Sequence, residues 1–431
     1  MSNIYYLQEP AQIAHYIRVG YGEHILADRM RAEGRVTQTG IVFNSSSVEA
    51  QRSTLADFRS EGHQLILDTN VAEQSVIGLY SKSYSEAPWA SKDAALSEKD
   101  FRAGGNRYVI EPIARFSVER GFHSVLSPAH YLGGSEVKWF KVDLESCEKF
   151  RELLDREGGR AIDVIYPLIL DNSQIKNPRV VSQIASALAD MPISAIWLRV
   201  AGFGRDATGA GIDKMARAVL ALHRLNIPIV MDKLGGLPAY ALASFGVTSG
   251  YVNGMKGRDT FRTADWFKST STGGGGGNER KVFVSGLDRR MNVSDMRRLF
   301  DASSTARLVY GCPNPACCAS VDVMLREPEA HHLGEQARTV AELSAVPERK
   351  RANYFLNTYL EEKRRKAGRS LRLKKVDEEF RKIGEKSAIR LNRMKDALEQ
   401  TERRLGTISF APEVLMPASM NEEAPIARGT R

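Results

Sequence analysis

Cysteine is scarce in this sequence, with four in 431 residues. So few cannot staple a chain of this length, which excludes a disulfide framework and fits a reducing cytoplasm. Long apolar runs are missing too. None approaches the ~18 residues of a membrane-crossing helix, so no membrane partner is expected. The opening Met1-Ser2-Asn3-Ile4-Tyr5-Tyr6 lacks a basic stretch followed by an apolar one, so no secretory leader is expected. Nor is there an acidic excess: 61 Lys/Arg face 52 Asp/Glu, a net charge of +9. The surplus is local. Between positions 349 and 404 roughly 19 basic residues face about 9 acidic ones, leaving the rest of the chain near neutral. A basic tail points to a polyanion, of which RNA and DNA are the commonest.

What is present is a rhythm of short aliphatic runs at helix-plus-strand spacing. They are Tyr16–Val19, Ile41–Phe43, Leu65–Leu67, Ser124–Leu126, Val164–Tyr166, Ala195–Leu198, Ile227–Met231, Gly250–Val252, Val282–Val284 and Leu308–Tyr310. Several are apolar on both faces, as buried parallel strands are. Amphipathic helical stretches such as Ile212–Leu225 and Val293–Phe300 lie between them. This alternation predicts an α/β fold, a (β/α)8 TIM-like barrel with a C-terminal basic α-helical extension. Ten candidates exceed the eight strands of a barrel, and Tyr16–Val19 with one other are taken as the surplus. The expected domains are the barrel over 1–305, a Cys/His metal-binding segment over 306–335, a basic helical extension over 336–411 and a frayed tail over 412–431. Five consecutive glycines, Gly273–Gly277, read as a flexible linker or lid. Val71–Arg107 is polar and weakly periodic, and is expected to cross the barrel mouth.

Barrel chemistry gathers at the C-terminal ends of the strands. That rule nominates Asp68, Asp232, Lys233 and Asp288 as catalytic candidates, and Asn70, His130, Arg199 and Asn253 as substrate-binding ones. Asp171 shares such a position. Asp68 directly follows Leu65-Ile66-Leu67 and suits acid/base work, though an Asp there can equally cap the next helix. Asp232-Lys233 can clamp a substrate or simply pair. Gly202 and Gly204 open the loop to Gly211, which precedes a helix and could cradle a phosphate on backbone amides. No Lys-Ser/Thr follows, as a P-loop would require, and a plain βα loop has the same composition.

Three cysteines cluster in Gly311-Cys312-Pro313-Asn314-Pro315-Ala316-Cys317-Cys318, with His331 and His332 close behind. Thiolates and imidazole in that number suit tetrahedral zinc, so Cys312, Cys317, Cys318 and His332 are the expected Zn2+ ligands, with His331 the alternative to His332. No Cys-x-x-Cys pair is present, and adjacent Cys317-Cys318 need a tight bend. Inert thiols and a Cys nucleophile beside a His are the other readings. Downstream, Arg351, Lys363, Arg364, Arg365, Lys366, Arg369, Arg372, Lys374 and Lys375 are the expected phosphate contacts, on helices over about 349–366 and 370–405. A solvated helix face is the plainer reading. The long helix also offers an apolar stripe for a second copy or a partner protein.

Taken together, three stretches resemble the tRNA-guanine transglycosylase superfamily. Leu65-Ile66-Leu67-Asp68-Thr69-Asn70 is similar to the family's strand ending in Asp-Ser-Gly-Gly. Ala241-Leu242-Ala243-Ser244-Phe245-Gly246-Val247 is similar to the approach to its nucleophile strand. Asn314-Pro315-Ala316-Cys317-Cys318 with His332-Leu333 resembles its zinc segment. The resemblance implies a zinc-containing (β/α)8 barrel that exchanges a base in RNA, with Asp68 contacting the base. The chain departs from the family in having Thr69-Asn70 after Asp68, and Asn253 where a nucleophilic carboxylate is expected. Asp259 and Asp288 are nearby substitutes. Three functions follow as expectations: base exchange or glycosyl transfer on nucleic acid; a non-catalytic nucleic-acid-binding or assembly module; or a small-molecule barrel enzyme taking a phosphorylated substrate.

Overall fold

A computed structural model describes residues 10–76, 85–91, 93–105, 107–133, 137–257, 259–266, 279–374, 376–405 and 410–414. Eight parallel strands close into a barrel: β1 (Ala14–Val19), β2 (Gly40–Asn44), β3 (Gln64–Asp68), β4 (Ser124–Leu126), β5 (Asp163–Asp171), β6 (Ala195–Ala201), β7 (Ile229–Asp232) and β8 (Gly250–Gly254). Closure runs through β8 and β1, with Tyr16 opposite Val252. The expected (β/α)8 barrel is therefore what the chain forms.

The strand period of two sorts the side chains. Ile17, Ile41, Phe43, Leu65 and Leu67 point outward and pack under the surrounding helices. Tyr16, Val42, Ile66, Leu126, Ile165, Trp197, Val230 and Val252 point inward and fill the lower barrel. Two residues further along four of those strands stand Arg18, Asp68, Arg199 and Asp232, all buried. The same inward face is thus apolar at the floor and ionic one layer up.

Tyr16–Val19, taken as surplus from the sequence, is β1 of the barrel. The true surplus is elsewhere. Val282–Val284 lies in β9 (Lys281–Val284), which pairs antiparallel with β10 (Arg289–Asn292) in a separate hairpin. Leu308–Tyr310 is not a strand at all but the end of the helix Ser304–Tyr310. Ser303 caps that helix by accepting from Ala306 N, and Leu308 is 85% exposed, so its apolar run has no buried sheet to join.

The C-terminal extension is helical as expected and lies against the barrel. Its main helices are Pro328–Ser344, Glu348–Tyr354, Glu361–Arg369 and Glu378–Leu405, with a π-type turn over Phe355–Leu360 between the second and third. The long helix Glu378–Leu405 buries Phe380, Leu391, Met394 and Leu398. It crosses the barrel helix Gly209–Leu220 so closely that a Cβ on Gly209 would sit 2.7 Å from that of Ala397. Phe410–Val414 also docks, although a frayed end was expected from Pro412 onward. Ala411 N donates to Gly246 O, Ser249 Oγ donates to Pro412 O, and Val414 packs under the apolar barrel floor. The glycine run Gly273–Gly277, Lys375, residues 415–431 and part of Val71–Arg107 lie outside the described residues. Among the described residues no helix is long and apolar enough to cross a membrane.

Candidate functional site

The ionic layer of the barrel mouth is built from six charges. Arg18 donates to Asp68 and, at 3.0–3.1 Å, to both oxygens of Asp232. Arg199 donates to Asp232 at 2.6 and 2.9 Å, to Asp68 at 3.2 Å and to Glu73 at 3.0 Å. Lys233 Nζ lies 3.6 Å from Glu73. Three cations therefore balance three anions, as burial of charge demands.

Burial alone would raise the Asp68 and Asp232 carboxyls. Arg18 and Arg199 more than offset it and hold both below the usual carboxylate range. The converse holds for Arg199, where Asp232, Glu73 and Asp68 outweigh burial and keep the guanidinium charged. Both carboxylates are thus anions at neutral pH and cannot serve as proton donors there. As anions they suit a nucleophile or a partner for developing positive charge, while the lowered pKa makes them poor general bases.

Above this layer opens a cavity of about 670 Å³, lined by Arg18, Asn44, Asp232, Lys233, Asn253 and Phe261 among others. Its size is that of a small-molecule or nucleoside site. Lys233 has φ of 57°, a left-handed conformation that costs a residue with a Cβ roughly 1–2 kcal/mol. Such strain tends to gather at functional positions.

The remaining predicted residues divide. Asn253 reaches the cavity but is also bonded to His15 and Gln336 at 2.9 Å each. Asn70 stays out of the cavity. Its side-chain oxygen accepts from Ser45 N and Oγ, and its backbone N donates to Asp68 Oδ1, so it shapes the turn after β3. His130 is buried, with Nδ1 2.5 Å from Asp143 and its ring stacked on Trp139, away from the lining of the mouth. Asp171 takes part in a capping box with Gln174. Gly202 N donates to Phe261 O from a left-handed backbone with φ of 76°, and Gly204 runs so close to Thr260 that a Cβ would not fit. Asp288 turns the β9–β10 hairpin with φ of 48° and pairs with Arg390 of the long helix, outside the mouth lining. Two members of the ionic layer escaped sequence reasoning. Arg18 could have been found, since it is a lone charge inside the run Tyr16-Ile17-Arg18-Val19. Glu73, in Val71-Ala72-Glu73-Gln74, carries no such signal.

The second cluster is the cysteine segment. Donor atoms of Cys312, Cys317, Cys318 and His331 all lie within 4.8 Å of one another and could hold a metal ion. The required bend exists: Asn314 O accepts from both Cys317 N and Cys318 N, turning adjacent thiols to one point. Cys318 Sγ is 3.4 Å from His331 Nδ1. His331 Nε2 donates to Phe283 O at 3.1 Å, which leaves Nδ1 as the lone-pair donor. Hydrogen bonding from Cys317 and then Cys318 pulls the Cys312 thiol well below its usual range. His331 replaces the expected His332. Neighbours on a helix point about 100° apart, so only one can face the thiols. His332 points instead to Asp259, 3.8 Å away.

Four of the predicted phosphate contacts have partners within the protein. Arg351 is buried and donates to the Leu343, Val346 and Ala11 carbonyls. Lys363 is buried against Ser285 and the Tyr359 ring. Arg364 and Lys366 pair with Glu361 and Glu362. Arg365, Arg369, Arg372 and Lys374 are exposed and make no ion pair among the described residues. Compared with known protein families and with curated proteins, the chain matches none.

Proposed function

We propose that the chain is a nucleic-acid-acting barrel enzyme of the glycosyl-transfer kind, resembling the tRNA-guanine transglycosylases. The observation that carries this reading is the pair Asp68 and Asp232, kept ionised in the barrel mouth by Arg18 and Arg199. Loss of a base leaves positive charge on the sugar, which anionic groups stabilise. Asp232 faces the cavity and is the nucleophile. Its oxygen forms a bond to C1′ as the C1′–N bond breaks and the base leaves with the electron pair. An incoming base then displaces the carboxylate. Asp68, bridged to Asp232 through both arginines, fixes its position. Cys312, Cys317, Cys318 and His331 hold zinc as a structural ion, because four protein donors leave no open coordination position. The protein works in the cytoplasm under this reading, which the scarcity of cysteine and the free thiols support. The exposed tail cations hold the polymer by its phosphates.

The test is incorporation of a labelled purine base into RNA or single-stranded DNA by the full chain. Asp232→Asn should lower the rate at least about a hundredfold, and Asp68→Asn should also lower it. Incorporation unchanged in both variants refutes the assignment. A second reading is favoured by Asn253, which stands where the resembled family carries its nucleophile and is taken up by His15 and Gln336. Under it the chain binds nucleic acid without turnover, and no base is ever incorporated or released.

A further inference from the structure

Lys233 has no role in the exchange step above. It follows Asp232 at the end of β7, and its left-handed backbone breaks the strand's alternation. Its side chain lines the mouth cavity. There Nζ lies 5.4 Å from the centroid of the Phe261 ring and 3.6 Å from Glu73 Oε1. The charges around it are Arg199, Glu73, Arg18 and Asp232. Glu73 is almost fully buried, and its Oε2 has no partner among the described residues. Burial, and then the Arg199 guanidinium, draw the amine down to about 8, so much of it is neutral in mildly alkaline solution. The cavity wall joins amide, hydroxyl and carboxylate groups of Asn44, Thr260 and Asp232 to the flat face of Phe261. Hydrogen-bonding groups beside an aromatic face suit a sugar.

We propose that Lys233 is a nucleophilic amine that condenses with the C1 aldehyde of a ring-opened pentose held in this mouth. The inference rests on the mouth being a sugar site, and not on base exchange itself. The nitrogen lone pair attacks C1, a C–N bond forms, and the carbonyl π pair moves to oxygen. Glu73 takes a proton from the nitrogen and returns it to that oxygen, giving a carbinolamine. Loss of water breaks the C–O bond and leaves the imine. A free pentose phosphate and an abasic sugar within a nucleic-acid strand present the same aldehyde.

The experiment incubates the full chain with cyanoborohydride and either ribose 5-phosphate or a single-stranded oligonucleotide bearing one abasic site. Adducts are then located by peptide mapping. The expected result is one adduct per chain, at Lys233, in large excess over exposed lysines such as Lys214 and Lys382. Its rate should fall about tenfold per pH unit below 8, following the neutral amine. Lys233→Arg should remove it. An adduct with ribose 5-phosphate alone assigns the free sugar, and one with the oligonucleotide alone assigns the strand. Adducts spread evenly over the lysines overturn the proposal, a result read on the unaltered chain and independent of how the variant folds. Base incorporation without an adduct sinks this inference and leaves the exchange reading standing, and an adduct without incorporation does the reverse.

Discussion

Arg199 holds more of the mouth together than any other side chain, since it donates to Asp232, Asp68 and Glu73 at once. Arg199→Gln leaves three buried carboxylates to Arg18 and Lys233. Removing one partner of a buried charge pair costs about 3–5 kcal/mol, and urea unfolding should report a loss of that size. His15 sets a different dependence. Its burial, against the hydrogen bond to Asn253, draws the imidazole down to about 4. The folded chain thus keeps His15 neutral while the unfolded chain protonates it near 6.5, so stability is lost as pH falls from about 6.5 to about 4. The loss from this residue is about 3 kcal/mol, and His15→Gln should flatten the stability profile over that window. Asp68 and Asp232 act lower. Their folded carboxyls sit below the unfolded value, so their contribution is present above about pH 4 and disappears beneath it. Asp68, Asp232 and Arg199 were legible in the sequence because each stands at or near the end of an aliphatic run. Glu73 was not, because it enters the mouth from the short helix Val71–Gln74, whose inward face no pattern marks.

Elements were legible where burial on both faces imposed a pattern, and misread where an apolar run had another cause. The first eight runs became the barrel strands, including Tyr16–Val19, whose Arg18 disguises an inward-facing strand position. Leu308–Tyr310 failed because three apolar residues fit a strand or a helix equally, and the cap at Ser303 decides. The same limit separated His331 from His332: composition supplied the donor, and only the helical phase chose it. The cysteine segment joins three pieces of chain, since Asn314 shapes the thiol loop, His331 rides on Pro328–Ser344, and Phe283 of β9 fixes the imidazole. Cys317→Ser should therefore lower bound metal measured per chain by elemental analysis. Amide exchange should quicken over 281–292 and 312–334 while the barrel strands keep their protection. Gly334 offers a milder probe. A Cβ there would lie 2.7 Å from Cys317 Sγ, so Gly334→Ala should weaken metal retention without removing a ligand.

At the scale of the whole molecule the extension is no detached arm. The long helix Glu378–Leu405 is seated on Gly209–Leu220, and Arg390 ties it to the hairpin through Asp288. Much of its surplus charge is spent internally, on Glu361, Glu362 and backbone carbonyls, which total charge cannot reveal. Of the residues expected to contact phosphate, Arg365, Arg369, Arg372 and Lys374 remain free for a polyanion among the described residues, and Arg349, Lys350, Lys386, Arg393 and Arg403 are further exposed cations of the extension. If the first four hold phosphates as proposed, each contact releases a counterion, and affinity for single strands falls with salt by about 0.7 per phosphate on logarithmic axes. Replacing all four by Gln should reduce that slope by about three and weaken binding about equally across sequences. Arg351→Gln and Lys363→Gln should behave oppositely, leaving the slope unchanged and lowering stability, because both side chains are buried on protein partners. Fluorescence anisotropy over a salt series separates the two outcomes. A slope indifferent to the four exposed residues would remove the polyanion from the proposal and leave the mouth, with its paired carboxylates and Lys233, to act on a free small molecule.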